Sequence, residues 1–476
     1  MTRPSDRVDA IIWPAAHDRL VATLRDLIRI PSVNPPDPAG ATGELDAAQY
    51  LAGALDEVGV PAEVFEPVPG RGSVVARLRG DGTGGPPLLL LSHLDVVPAP
   101  ADRWTHDPFA GDVADGYVYG RGAVDMKDLV AMELEIFRLL AAEARLAGRD
   151  PASDPVPDLR RDLLFASTAD EEAGGLAGAG WLAAEHPEHL SAAAAINEAG
   201  GVSVSVGDKR LYPIQVAEKG YAVYRITIRG TWGHGSMPRA DNAAVLAAGA
   251  ITRLAVPGRT RLTPTMRIFF ERAAEALGGD AARAIRALTA NAEGGSGAAR
   301  STAQLCSPVY RRAAEALIRD TISPDIVHAG VKYNVIPGEA VVEIDCRLLP
   351  GTSEAEMRAE VIARLGPDLA AVADVALVIA ADGVVAPTES GLYPILEAAI
   401  RDHDPDGIPL PVMAPFATDA KHLIELGVPA YGFSPLRQDP EETYLDRYHG
   451  VDERVSLAGL RWGLPVLYDA VRRFCE

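Results

Sequence analysis

Several segments of this chain set histidines and acids at the ends of apolar runs, an arrangement in which side chains can hold metal ions. Leu88 to Pro98 opens as an apolar strand and turns polar at Ser92, His93, Leu94 and Asp95. Open α/β sheets gather ligands beyond the carboxyl ends of their strands, so His93 emerges where a site would form. Asp95, two residues on, can fix the imidazole tautomer. Asp162 to Thr168 is another apolar strand and runs into Asp170, Glu171, Glu172, Ala173, Gly174 and Gly175. Adjacent acids repel one another unless cations balance them. Ala192 to Ile196 leads likewise into Asn197, Glu198, Ala199, Gly200 and Gly201. The glycine-punctuated loop Gly120 to Lys127 delivers Asp125 to the start of a helix, a position that an N-capping acid also fills. Far along the chain, the loop Tyr448 to Arg454 supplies His449 just before the C-terminal helix.

The elements that must position these residues are legible from periodicity. Apolar residues recur at helical spacing from Ala15 to Ile30, and Pro31, Pro35 and Pro36 close that helix into a loop. A second helix is predicted from Glu44 to Val58. Short apolar runs at Ser73 to Leu78 and Leu88 to Leu91 precede a helical stretch from Leu129 to Ala144. Gly148 to Asp158 reads as a surface loop and Gly178 to Glu185 as a small-residue helix. Alternating strands and helices predict an α/β layer with a largely internal sheet. The habit then changes. Val223, Arg225, Thr227 and Arg229 alternate with Tyr224, Ile226 and Ile228, and Ala340 to Leu348 behaves the same way, as half-exposed strands do. Between them lies an Ala-rich helical region interrupted at Gly294 to Gly297. This pattern predicts a smaller α+β domain at about residues 216–382, inserted between two segments of a larger one, 1–215 and 383–476.

A chain of 476 residues exceeds what a single core usually supports, in keeping with two domains. The net charge of −21 repels nucleic acid and anionic membranes, so neither is expected as a partner and an anionic substrate must be attracted locally. Cys306, Cys346 and Cys475 lack metal-ligand or redox spacing and read as ordinary thiols of a reducing cytoplasm. Met1 to Leu20 carries acids and prolines without an apolar leader core. No run approaches the roughly 20 apolar residues that span a bilayer. A soluble cytoplasmic protein is expected.

In their order along the chain, the five blocks between His93 and Arg454 resemble the metallopeptidase family M20. That family includes acetylornithine deacetylase, succinyl-diaminopimelate desuccinylase, aminoacylase-1, glutamate carboxypeptidase and carboxypeptidase S-like enzymes. The resemblance implies a zinc-peptidase-like α/β catalytic domain with a mixed, largely parallel central sheet. It also implies an inserted α+β lid domain through which the chain forms a homodimer. Two divalent metal ions are implied, zinc foremost, with cobalt or manganese able to replace it. Asp125 would bridge them, His93 and Glu198 would complete one site, and Glu172 and His449 the other. Nitrogen and oxygen donors without thiolate suit catalytic rather than structural zinc. By the same resemblance Glu171 is the general base toward a metal-activated water, and Asp95 orients His93.

In the lid, Gly233 to Pro238 carries His234, which the resemblance makes a donor to the developing oxyanion, often in the other subunit's active site. Tyr333 to Gly338 and Asp345 to Gly351 offer Asn334 and Arg347 to grip a substrate carboxylate, for which a guanidinium fork is suited. Phe416 to His422 resembles a loop near the substrate and offers Thr418, while His422 reads as structural. His17, His106, His186, His189, His328 and His403 fall outside every block and read as surface or packing residues. The implied reaction is hydrolysis of an amide bond in a peptide or N-acyl amino acid. A catalytically inactive binding relative would be expected to lack Glu171 or a metal ligand, and none is lost. A dinuclear phosphoesterase, the other alternative, would use acid and histidine clusters without depending on His234 or Arg347. Two departures stand out: Leu94 replaces a Thr common in relatives, and the added length between Arg259 and Ser323 resembles the enlarged lids of carboxypeptidase S-like members.

Overall fold

The computed structural model describes residues 3–7, 12–34, 42–293, 312, 314–389, 391–442 and 444–476. Pro35, Pro36, the Gly294 to Gly297 interruption and Cys306 lie outside the described residues. The chain divides into two compact units, one comprising Met1–Val216, Ala386–Val412 and Thr418–Glu476, the other Ala217–Val385 and Met413–Ala417.

In the first unit, α1 (Ile12–Arg29) buries Ala16, Leu20, Thr23, Leu24, Leu27 and Ile28, the stripe that a helical repeat of apolar residues dictates. α2 (Leu45–Glu57) and α3 (Lys127–Leu146) follow the same logic, although α3 is buried on nearly every side. The sheet is built from β1 (Ala62–Val68), β2 (Arg71–Leu78), β3 (Leu88–His93), β4 (Leu163–Thr168), β5 (Ala194–Asn197) and β6 (Lys209–Glu218), joined by the late strand Ala430–Gly432. Their spatial order is β1, β2, β4, β3, β5, Ala430–Gly432, β6. β3 pairs parallel with β4 and β5, and Ala430–Gly432 pairs parallel with β5. The flanks, β1 with β2 and β2 with β4, are antiparallel. The result is the mixed, largely parallel sheet of the α/β class.

β3, β4 and β5 are buried at every residue, which is why they read as continuous apolar runs rather than alternating ones. Successive side chains still leave on opposite faces. Leu88, Leu90, Leu163, Phe165 and Ile196 join the core formed with α1, α2, α3 and the C-terminal helix Leu457–Cys475. Leu89, Leu91, Leu164, Ala166 and Ala195 join a second core with Leu182, on α4 (Ala179–Glu185), and Leu423.

In the second unit, β7 (Gly220–Arg229), β8 (Thr321–Ala329), β9 (Glu339–Leu348) and β10 (Ala373–Ala381) form an antiparallel sheet in the order β8, β9, β7, β10. The β7–β9 ladder runs from Gly220↔Leu348 to Arg229↔Glu339. Ala222, Tyr224, Ile226 and Ile228 face inward with Val342, Ile344 and Cys346, against α5 (Ala243–Leu254) and α6 (Glu354–Ala370). The side chain of Asn242 caps α5, and Ser353 with Glu356 forms a capping box on α6. Helices Pro264–Leu277 and Gly279–Glu293 occupy part of the added length. Among the described residues no helix is long and apolar enough to cross a membrane.

Leu90 is fully buried at the centre of the sheet, whereas Leu146 at the end of α3 is 84% exposed. Leu90→Ala should therefore cost about 2–5 kcal/mol of stability. Leu146→Ala should stay within about 0.5 kcal/mol. Urea unfolding of the two variants checks the difference.

Candidate metal centre and active site

Strand ends deliver the acids and imidazoles of the first unit to one place. His93 is the last residue of β3, Glu198 follows β5, Asp125 precedes α3, and Glu171 and Glu172 open a short 3-10 turn after β4. His93 Nε2 lies 3.2 Å from Asp125 Oδ1 and 3.8 Å from Glu198 Oε2. The other oxygen of Asp125 turns to a second imidazole, with His449 Nε2 at 3.3 Å, and His449 Nε2 is also 3.2 Å from Glu172. His93, Asp125 and Glu198 thus form one group of converging donors, and Asp125, Glu172 and His449 another, each with all its donor atoms within 4.8 Å of one another.

This geometry fits a pair of divalent ions. Metal bonds of about 2.0–2.2 Å to nitrogen and oxygen put neighbouring ligand atoms roughly 3.4 Å apart in a tetrahedral shell. Each group offers one nitrogen and two carboxylates, and Asp125 turns one oxygen toward each group, as a shared ligand must.

Electrostatics supports the same fit. Burial, with Asp125 and Glu172 nearby, pushes Glu198 up to about 7. Burial also raises Glu171 and Glu172, offset in part by Lys421 at Glu171 and by His449 at Glu172. Hydrogen bonds to Asp125 and Glu172 push His449 up to about 10. Burial opposes charge on His93, yet Glu198 and Asp125 hold its pKa well above the ordinary imidazole value. Raised carboxyl pKa values at Glu171, Glu172 and Glu198, beside a lowered one at Asp125 between two imidazoles, mark a site where acids crowd with little positive charge.

The supports are as specific as the candidate ligands. Asp95 is fully buried, and its backbone oxygen lies 3.0 Å from His93 Nδ1, fixing the tautomer that leaves Nε2 toward the donor group. Its carboxylate does a second job that the sequence did not reveal. Oδ1 accepts the backbone N–H of Glu171 at 3.1 Å, and Oδ2 accepts that of Glu172 at 3.0 Å together with the Asn34 amide at 2.9 Å. Glu453 is also buried; it accepts the N–H groups of Val124 and Asp125 at 2.9 and 3.2 Å and is bridged by Arg121 at 2.6 Å. Asp170 (φ 71), Ala199 (φ 74) and His449 (φ 55) adopt left-handed backbone beside or within the ligand set. Such conformations cost about 1–3 kcal/mol each and gather at functional sites.

Lys421, nearly buried, lies 3.7 Å from Glu171 Oε1 and donates to the Thr418 carbonyl at 3.0 Å. Thr418 is itself buried, its hydroxyl accepting from Asn197 at 2.8 Å and from the Ala420 N–H. His422 Nε2 meets the Gly174 carbonyl at 2.9 Å and so props the acidic turn. Asn34 lies outside every block of the sequence reading, and Lys421 and Glu453 lie inside two of those blocks without a role assigned to them. Their roles depend on chain segments that meet only in the fold.

The remaining candidates belong to the second unit. His234 is exposed, and its Nδ1 accepts the Ser236 N–H at 3.2 Å with the Ser236 hydroxyl at 2.7 Å. That fixes the tautomer with a proton on Nε2. His234 pairs with Val335, and the Asn334 carbonyl accepts the Gly235 N–H at 2.8 Å, so His234 and Asn334 are neighbours. Arg347, on β9, pairs with Asp345 at 2.9 Å and lies 5.5 Å over the Tyr221 ring.

Comparison with known proteins agrees with this arrangement. The model of Peptidase family M20/M25/M40 matches residues 89–473. The chain is 27% identical over 454 residues to "N-fatty-acyl-amino acid synthase/hydrolase PM20D1" of Xenopus tropicalis, covering 92% of this chain and 82% of that protein. It is 27% identical over 422 residues to "Probable carboxypeptidase S-like 2" of Dictyostelium discoideum, covering 84% and 74%. Among solved structures, the M20 family metallo-carboxypeptidase Sso-CP2 from Sulfolobus solfataricus superposes with a TM-score of 0.71 at 17% identity, over 96% of this chain and 99% of that one.

Because the metal-free pKa values of His93 and His449 are raised, both imidazoles carry protons at neutral pH and must lose them to bind an ion. Metal affinity should therefore climb as pH rises toward about 10 and weaken as it falls. Titration calorimetry of the metal-free protein in buffers of different ionisation enthalpy should report proton release. Heats independent of the buffer would contradict this.

Proposed function

The chain belongs to peptidase family M20/M25/M40, and from that premise we propose that it hydrolyses an N-acyl amino acid or short peptide at two divalent ions, with Glu171 as the general base. The observation that carries this reading is the pair of donor groups sharing Asp125, with the Glu171 carboxyl near enough to feel the charges of Glu198 and His93. His93, Asp125 and Glu198 would hold one ion, and Asp125, Glu172 and His449 the other. Zinc suits this donor set best, and cobalt or manganese would also be accepted. The ions would supply Lewis-acid polarisation of the amide carbonyl and lower the pKa of the attacking water.

Glu171 takes the proton from that water and passes it to the leaving nitrogen. A buried carboxyl with a raised pKa is suited to hold a proton between the two transfers. Lys421 and the Asp95 carboxylate position Glu171, one through charge and the other through the backbone. Thr418 steadies the loop beside it. His234, with its Nε2 proton, donates to the developing oxyanion in the site of a second subunit. Asn334 and Arg347 bind the substrate carboxylate, a local attraction that offsets the negative net charge of −21.

Both named relatives support a substrate that is an acylated amino acid or peptide. An apolar acyl group is favoured by Trp232, Met237, Val331 and Tyr333, all exposed, on the loops flanking His234 and Asn334. The buried free thiols Cys346 and Cys475 suit a reducing cytoplasm, where we place the enzyme.

Glu171→Gln should keep its full metal complement while turnover falls by about two to four orders of magnitude. Asp125→Ala should lose both ions, whereas His449→Ala should weaken one site. Metal analysis beside kinetics on N-acyl amino acids and dipeptides checks these assignments, and near-normal turnover in fully loaded Glu171→Gln would remove Glu171 from its role. For the shared site, mixing inactive Glu171→Gln with inactive His234→Ala subunits should restore part of the activity in hybrid dimers. No recovery despite proven subunit exchange would rule out service in trans.

A further inference from the structure

A separate set of donors lies at the end of α4. His186, Glu188 and His189, in the turn His-Pro-Glu-His, bring one ligand atom each within 4.8 Å of one another. His186 Nδ1 is 3.4 Å from Glu188 Oε1, and His189 Nε2 is 3.9 Å from the same oxygen. Both imidazoles therefore turn a nitrogen toward one carboxylate oxygen, from ring positions that differ as the geometry of the turn requires.

Aromatic packing holds this arrangement. The Phe65 ring lies 4.6 Å from the His186 ring and 5.4 Å from that of His189, and Trp181 lies 5.0 Å from His186. The imidazoles are thereby backed by apolar surface on one side, while their side chains remain 34% and 23% exposed on the other. A cavity of about 380 Å³, lined by Glu63, Arg77, Glu188 and His189 among others, opens beside them and gives an ion its approach.

We propose that His186, Glu188 and His189 form a third metal site, independent of the dinuclear centre, that takes one borderline divalent ion such as zinc or nickel. Two imidazoles and a carboxylate suit such ions better than calcium or magnesium, which prefer all-oxygen shells. Water would fill the positions facing the cavity. Since α4 packs on the 3-10 turn Asp419–Leu423, an ion here would stiffen the end of a helix that supports the active-site loop without touching the reaction. Any ion bound to the folded state alone also raises the unfolding temperature by mass action.

The test is metal stoichiometry on the intact enzyme already loaded with two zinc ions per chain. Titration with nickel or further zinc should show one additional equivalent in the wild type and none in a His186→Asn, His189→Asn double variant, whose turnover and two original ions should be unchanged. Glu188→Gln should bind the extra ion at least tenfold more weakly, and the ion-dependent rise in unfolding temperature should disappear with the double variant. Equal extra binding by the wild type and the double variant, or no extra equivalent in the wild type, would overturn the proposal and leave the dinuclear centre unaffected.

Discussion

Asp125, Glu171, Glu172 and Glu198 bring four carboxyl groups into a space largely closed to water, where His93, His449 and Lys421 are the cations that meet them. Carboxylates leave water only at a cost that matched charge must offset. Much of the surrounding construction follows from that constraint. Burial that pushes Glu198 up to about 7 and raises Glu171, beside imidazoles whose own pKa values are raised, is the electrostatic pattern of acids crowded without matching positive charge. Deeper in the fold the deficit is not enlarged. Glu133, which accepts the Ser92 hydroxyl at 2.7 Å, and Asp128 are both pushed up to about 8 by burial, which favours their neutral forms.

Two further acids also act on the backbone around the centre. Asp95 gathers the N–H groups of Glu171 and Glu172, and Glu453 those of Val124 and Asp125. Each fixes a loop from which candidate ligands project, so the donor positions are set by hydrogen bonds to the main chain as well as by side-chain packing. Close backbone approach completes the frame. A Cβ on Gly432 would come within 2.2 Å of the Glu198 carbonyl, and one on Gly175 within 2.3 Å of Asp419 Oδ1. Glycine at these positions is a requirement of space.

Legibility in the sequence followed locality. His93, Glu171, Glu172 and Glu198 could be found because each comes at or shortly after the end of a fully buried strand whose apolar run is visible by itself. The half-buried alternation of β7 was equally plain. β1 was not, because its two-stranded edge position leaves Glu63, Glu66 and Pro67 among its residues and blurs the pattern. β6 was obscured by Lys209, Arg210 and Pro213. Asn34, Lys421 and Glu453 act on residues 61, 250 and 329 positions away along the chain, and no window of sequence carries such a relation. His186 and His189 were read as surface or packing residues because the turn that aligns them with Glu188 is a property of backbone geometry rather than of residue type.

The strand order also bears on how this polypeptide matures as it leaves the ribosome. Ala430–Gly432 lies between β5 and β6, although more than two hundred residues separate it from either in synthesis. Until that short strand arrives, the edges of β5 and β6 that it will join lack their final neighbour, and His449 has yet to be made. The nascent chain must therefore carry an unfinished sheet through the synthesis of the whole second unit. Late closure of this kind is slow and leaves sheet edges open to wrong partners, which gives general chaperones a definite interval in which to act.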